Sequence, residues 1–162
     1  MKELLNKISS YNLFNYLLPG IIFVCISKYF TDYNFIQDNN LIGAFLYYFI
    51  GMVISRFGSL FIEPFLKWTS FLKFADYKSF VSASKKDEKI ELLSEVNNTY
   101  RTISAMFIVL LLAKTYNHFQ VLWQIPDKVT SFVIVTLVLI MFLFSYRKQT
   151  NYITKRISAN NP

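Results

Sequence analysis

Four apolar stretches restrict what this chain can fold into. They cover residues 11–30, 41–60, 102–118 and 129–146. A helix needs about 20 predominantly apolar residues to cross the hydrocarbon core of a bilayer. The chain is 54% hydrophobic and only 17% charged, whereas soluble domains are about 45–50% apolar and about 25% charged. The sequence therefore predicts an all-α, polytopic membrane protein with four transmembrane helices.

Residues 61–101, between the second and third spans, are predicted to form a cytoplasmic helical insert. Ser84 followed by Asp87 resembles a capping box, which marks a helix start. Apolar residues then recur every three or four positions: Ile90, Leu93, Val96, Tyr100 and Ile103. We expect one helix from Lys85 to Ala113, continuous with the third span.

The apolar stripe on that helix needs a covering surface, because such a stripe is not stable in water. Three surfaces could cover this stripe. It could pack against the chain's own residues 61–74, against a second copy of the chain, or against a soluble partner.

Basic residues are distributed unevenly between the two sides of the four-span layout. Fourteen of the 17 lie on the side of the termini and the insert, and Lys28, Lys114 and Lys128 lie on the other. The positive-inside rule then places both termini in the cytoplasm of a bacterial inner membrane. The net charge of +7 is explained by this topology and by anionic lipid.

Two terminal segments flank the spans. Residues 1–10 are predicted to lie at the membrane interface as an amphipathic segment, with Leu4, Leu5 and Ile8 on one side. Residues 147–162 are predicted to form a basic cytoplasmic tail. The insert itself has seven basic and six acidic residues. We expect no direct binding of nucleic acid, which requires unbalanced positive charge.

The end of the second span contains charged residues in an apolar context. Arg56, Ser59 and Glu63 lie on one helical face, because seven residues make almost two turns. Near the cytoplasmic interface, Arg56 could snorkel or pair with Glu63 along that face. The stripe could be a pore mouth, or it could anchor or pack the helix.

Small residues on the same span predict a close helix contact. Gly51, Ser55 and Ser59 recur at four-residue spacing, and Gly58 adjoins them. Small side chains allow membrane helices to approach closely. We expect the tightest interhelical or oligomer contact here.

Pro19 and Gly20 predict a kink or a break in the first span. Proline removes one backbone hydrogen bond, and glycine adds conformational freedom. The break would separate an interfacial helix containing Asn12 and Asn15 from the membrane helix proper.

The sequence offers no recognisable catalytic or metal site. His118 is the only histidine, and no second histidine or cysteine accompanies it. Cys25 lies in mid-span, where a thiol behaves as a small apolar group. We expect no catalytic residue, metal or cofactor, and a protein that is not an enzyme.

Two blocks of sequence carry a resemblance. They are "SSYNLFNYLLPGIIF" with "ISRFGSLFIEPFLK", and "FADYKSFVSASKKDEKIELLSEVNNTYRT". They resemble a family of small, four-span bacterial membrane proteins. The layout is also similar to small membrane components of anti-phage defence systems, namely the accessory proteins of type VI CRISPR loci and the SLATT-type effectors. The likeness implies a homo-oligomer that perturbs the inner membrane when a cytoplasmic partner triggers it.

Two functions are therefore considered, besides a purely structural membrane role. The first is a membrane-perturbing or pore-forming effector of anti-phage defence, triggered through the cytoplasmic helices. The second is a non-conducting membrane anchor or regulatory subunit for a soluble partner encoded nearby. The partner would contact charged residues of the insert: Lys85, Lys86, Lys89, Glu91 and Glu95.

Overall fold

The computed structural model describes residues 11–160. Its helices are α1 (Leu13–Phe30), α2 (Asn40–Trp68), α3 (Tyr77–Ser84), α4 (Lys89–Leu122) and α5 (Asp127–Asn160). All except the short α3 are long and apolar enough to cross a membrane. The prediction of an all-helical chain with four candidate spans is confirmed. The segment predicted for residues 1–10, like the last two residues of the tail, lies outside the described residues.

Each long helix runs antiparallel to the long helix before it in the chain, so the bundle has two distinct ends. We call the end where α2 leads into α3 the insert end, and the opposite end the loop end. Side chains join the helices at the loop end. Asn117 Nδ2 donates to Asp32 Oδ2 at 2.9 Å, and Gln120 Nε2 donates to Asp127 Oδ1 at 2.9 Å. The Tyr33 hydroxyl also bonds Gln120.

Two glycines bring α1 and α2 into backbone contact. A Cβ atom added at Gly20 would lie 1.8 Å from the carbonyl oxygen of Tyr47. One added at Gly51 would lie 1.8 Å from the carbonyl oxygen of Tyr16. Each glycine thus lies beneath a carbonyl group of the other helix, in a space that no side chain can share.

Of the kink or break expected at Pro19, the break is wrong for the described residues. Residues Leu13–Leu17 form a π-helical turn that continues directly into the α-helical part, Leu18–Phe30. In α2, the π-helical turn Gly58–Ile62 likewise precedes Pro64. Each proline lies in the first turn of an α-helical part, where its missing N–H group is tolerated. The wider turn before it keeps the chain helical, so α2 extends beyond its predicted end at residue 60.

The apolar core is built from three helices only. Its buried residues come from α1, α2 and α4: Phe23, Val24, Ile54, Ala105, Met106 and Leu110. Helix α5 contributes none of these clustered residues; among the described residues its buried apolar side chain is Met141, 7% exposed, and only 17% of its most apolar window is buried. A cleft of ≈ 600 Å³ between α5 and the helices α2 and α4 has an almost wholly apolar lining. Helix α5 therefore lies against the core rather than within it.

The insert has a different architecture from the predicted single rod. Helix α3 begins after Asp76, whose carboxylate accepts hydrogen bonds from the backbone N–H groups of Lys78 and Ser79. Ser84 ends α3 and bonds the carbonyl of Val81, so it does not form the expected capping box. Helix α4 begins at Lys89, whose N–H donates to Asp87 Oδ1 at 3.0 Å. The predicted start at Lys85 is therefore wrong.

We predict that Gly51→Ala destabilises the bundle much more than Gly43→Ala. Both substitutions improve helix propensity by about 1 kcal/mol, but only the first forces a Cβ against backbone. At Gly43 the added atom meets only the ring end of Tyr47, at 3.3 Å. We expect Gly51→Ala to be less stable by about 2 kcal/mol or more, measured by unfolding in mixed detergent micelles. Equal stability of the two variants would contradict this packing account.

Candidate functional site

A buried carboxylate lies where α2 meets α4 at the insert end. Glu63 is 8% exposed. Its Oε1 atom is 2.8 Å from Lys67 Nζ, and its Oε2 atom is 2.8 Å from Arg101 Nη1. Buried charges require such pairing, because an isolated charge loses the solvation that water provides. Of the two alternatives for Arg56, snorkelling or pairing with Glu63, the pairing is wrong, since the carboxylate is held by these two other cations.

Two further cations link the helices around Glu63. Lys148 on α5 donates to the carbonyl oxygen of Ser59 at 2.6 Å and to its hydroxyl at 2.8 Å. Arg56 Nη2 lies 3.4 Å from the hydroxyl of Tyr16 on α1. The predicted stripe of Arg56, Ser59 and Glu63 therefore contacts three different helices. Its members line one cavity instead of bonding to each other.

A network of uncharged polar side chains lies just inside the bundle from this cluster. Thr102 Oγ1 is 2.8 Å from Asn15 Oδ1, 3.1 Å from Ser55 Oγ and 2.9 Å from the carbonyl oxygen of Asn98. Asn15 is 1% exposed, and its Nδ2 atom has no hydrogen-bond partner. Sequence reasoning placed Asn15 at the interface and gave Thr102 no role. The amide of Asn15 and the hydroxyl of Thr102, each within an apolar span, were the sequence features that could have indicated this network.

A cavity of ≈ 540 Å³ opens between these groups. All five helices contribute to its wall, and its volume is in the range of small-molecule sites, about 300–1,000 Å³. The charged lining consists of Arg56, Glu63, Lys67, Arg101 and Lys155. The aromatic lining consists of Tyr11, Tyr16, Phe74, Tyr77, Phe80 and Tyr152. Four basic groups thus face one carboxylate across a partly aromatic cavity.

The phenol of Tyr11 adds a neutral donor to this wall. Burial raises the pKa of Tyr11 above its ordinary value, and the neighbouring Tyr16 raises it further. An ordinary tyrosine hydroxyl is already protonated at neutral pH, and a shift in this direction leaves it so. It adds no negative charge to the cavity.

The small residues predicted as a packing surface are all buried within one chain. Gly51 lies against α1, and the nearest atom to a Cβ at Gly58 would be Ala105 Cβ on α4, at 3.0 Å. Ser55 and Ser59 are 3% and 8% exposed, bonded to α4 and α5. An oligomer contact between copies would therefore use a different surface.

The charged residues predicted to face a partner are all exposed: Lys85, Lys86, Lys89, Glu91 and Glu95. Lys85 and Lys86 lie in the turn between α3 and α4 rather than on the predicted rod. The middle of the apolar stripe is exposed as well, with Leu93 at 65%, Val96 at 42% and Tyr100 at 66%, whereas Ile90 and Ile103 at its two ends are half-buried. Residues 61–74 therefore do not cover these three middle residues, and the first of the three expected surfaces is wrong for them.

The described residues contain no group of three or more histidine, cysteine or acidic side chains that could hold a metal ion. The ring of His118 contacts Phe119, with ring centroids 5.9 Å apart. Cys25 is a free, exposed thiol on α1.

Comparisons with known proteins give no match: no protein-family model, no curated protein and no solved structure is similar to the chain. The site is therefore interpreted from its own geometry.

We predict that Glu63→Gln destabilises the protein by about 2–3 kcal/mol. This is below the full cost of breaking a buried ion pair, because Lys67 is partly exposed. The double variant Glu63→Gln/Arg101→Gln should lose less than the sum of its single variants, by about 1–2 kcal/mol. Detergent unfolding of all three variants measures the coupling.

A matched control is Glu91→Gln. Glu91 lies 4.0 Å from Arg156, with both side chains more than half exposed. The Glu91→Gln substitution should change the free energy of unfolding by less than about 0.5 kcal/mol. Additive losses in the Glu63 and Arg101 cycle would contradict the proposed network.

Proposed function

We propose that the protein is an effector of the bacterial inner membrane. It perturbs that membrane as a homo-oligomer when its insert end is engaged, in anti-phage defence. The support for the defence context is the resemblance in layout to small membrane components of anti-phage defence systems. The support for a membrane action is the set of four candidate spans and the way in which the fourth is attached.

The observation that carries the proposal is the weak attachment of α5 to the three-helix core. Its inner contacts with the core helices include the stacked rings of Phe49 and Phe142, whose centroids are 6.2 Å apart. At the loop end, Tyr116 and Thr130 share a hydrogen bond of 2.9 Å. At the insert end, Lys148 holds α5 to Ser59. The apolar cleft lies between these points, so α5 is the spanning helix best suited to move.

The charged cluster couples the insert end to that helix. Lys148 bonds Ser59. On α2, Ser59 lies four residues before Glu63, which is about one helical turn. Ring contacts also connect α5 to the insert, since Tyr77 and Tyr152 have centroids 6.1 Å apart. A ligand or partner that changes the position of α3 would therefore act directly on the inner end of α5.

Conduction through this protein would require several copies or a rearranged α5. Between the two polar ends, the core of the described chain is filled by apolar residues such as Phe23, Ile54 and Met106. The described residues of one chain therefore supply no polar path across the bundle. In the proposal, copies meet through exposed apolar surfaces of α4 and α5, and the insert end faces the cytoplasm as the distribution of basic residues predicts.

The second candidate function is a non-conducting anchor for a soluble partner. The exposed basic residues Lys85, Lys86 and Lys89, together with the uncovered stripe on α4, favour this function. Reversing the three lysines to glutamate should abolish recovery of a partner in pull-downs from the native host. If the intact chain recovers no specific protein, the anchor function is rejected.

We predict that Lys148→Met depolarises cells without any trigger. The substitution keeps the apolar stem but removes the ammonium group that holds α5 to Ser59. Arg147→Met is the matched control, because Arg147 is the exposed neighbour on the same helix. A voltage-sensitive dye in cells that express each variant measures the difference.

The same assay with the wild-type chain, its genomic neighbours and phage tests the effector role itself. We expect depolarisation during infection in protected cells. An unchanged membrane potential while protection persists would reject membrane perturbation and leave the anchor function.

A further inference from the structure

The cavity at the insert end has an excess of positive charge that the described residues do not neutralise. Glu63 supplies its one lining carboxylate, and both carboxylate oxygens are already engaged by Lys67 and Arg101. Among the described residues, no carboxylate oxygen lies within 4.0 Å of Arg56, Lys148 or Lys155. Two of the lining cations, Arg56 and Lys155, therefore have no carboxylate partner among the described residues, and Lys148 lies beside the cavity, bonded to its lining residue Ser59.

Hydrogen-bond donors in the same region are also unused. Arg101 Nε is buried and has no acceptor among residues 11–160. Asn15 Nδ2, in the network of Thr102 and Ser55, is buried and likewise has no partner within that range. Buried donors without acceptors destabilise a protein by about 1–3 kcal/mol each. Their occurrence beside a basic cavity indicates that acceptor oxygens are supplied from outside the described residues.

We infer that this cavity binds a phosphate group carried by a small molecule. A phosphate presents several strong acceptor oxygens and a charge of up to two, which matches converging guanidinium and ammonium groups. Tyr11 is kept neutral and donates without repelling the anion. The adjacent rings of Tyr77 and Phe80, 6.4 Å apart, form an apolar wall for the remainder of the molecule.

Two sources could supply this phosphate. One is the headgroup of an anionic phospholipid, since the cavity lies at the end of the spanning bundle. The other is a soluble phosphorylated metabolite such as a nucleotide. Binding of the phosphate does not depend on the effector role. Its use as a trigger does rest on that role. The phosphate would act by attracting the Lys148 ammonium group away from Ser59.

The experiment uses the full chain, purified and delipidated in a maltoside detergent. Adenosine monophosphate and inorganic phosphate are titrated by calorimetry at constant ionic strength, with chloride replacing the probe. In a second arm, phosphatidylglycerol is added and its retention is counted by native mass spectrometry, with diacylglycerol as the lipid that lacks phosphate.

The test variant is Arg56→Gln/Lys155→Gln, and the control is Lys85→Gln/Lys86→Gln. Both remove two positive charges, but only the first pair lines the cavity. We expect the test variant to weaken binding about 100-fold, a factor of about ten for each lost charge-assisted bond. We expect the control to change it by less than about threefold. Neither test residue is ion-paired with the described acids, and Arg56 makes only the 3.4 Å contact with the Tyr16 hydroxyl, so thermal unfolding of both variants is measured to check that the fold is kept.

Loss of nucleotide or phosphate binding in the test variant supports a soluble ligand. Loss of phosphatidylglycerol retention supports a headgroup. If neither probe binds the wild-type chain, or the two variants bind equally, the site is overturned. A variant that loses binding but still depolarises infected cells would reject the anion as trigger and leave the effector function standing.

Discussion

The close approach of α1 and α2 sets the geometry on which the remaining structure depends. Gly20 and Gly51 each lie beneath a carbonyl group of the other helix, so the two backbones touch without side chains between them. This contact fixes the relative height of the two helices. Asn15 is consequently brought to Ser55 and Thr102, and Tyr16 to Arg56. The position of the polar groups at the insert end follows from a contact made by residues that have no side chains.

Charge neutralisation explains the organisation of that end. Glu63 is a buried charge on the mostly apolar helix α2. Lys67 on α2 and Arg101 on α4 neutralise it. The π-helical turn Gly58–Ile62 and the following Pro64 occur directly before and after the carboxylate. Irregular helical turns of this kind recur at functional sites. Here the irregularity lies where α2, α4 and α5 meet around a basic cavity.

Helix α5 differs from the other long helices in what holds it. It contributes one buried apolar residue, Met141, and none to the cluster shared by α1, α2 and α4, so its exposed apolar surface requires lipid or another chain. Its contact at the insert end is polar and exchangeable, because Lys148 bonds a hydroxyl and a carbonyl oxygen. A phosphate in the neighbouring cavity would compete for the same ammonium group. The proposed binding site and the proposed membrane action therefore share one residue.

The stretches of about 20 apolar residues by themselves determined the fold class and the four spans, because lipid requires every backbone group to be bonded within a helix. The helical spacing of Gly51, Arg56 and Glu63 also indicated that these residues make specific contacts. The partners of these residues were not. Arg101 is 38 residues from Glu63 and Lys148 is 89 from Ser59, and periodicity along one helix carries no information about which helix lies opposite. Only the tertiary packing decided that Glu63 pairs with Arg101, that α1 remains helical through Pro19, and that the described residues leave the middle of the stripe on α4 exposed.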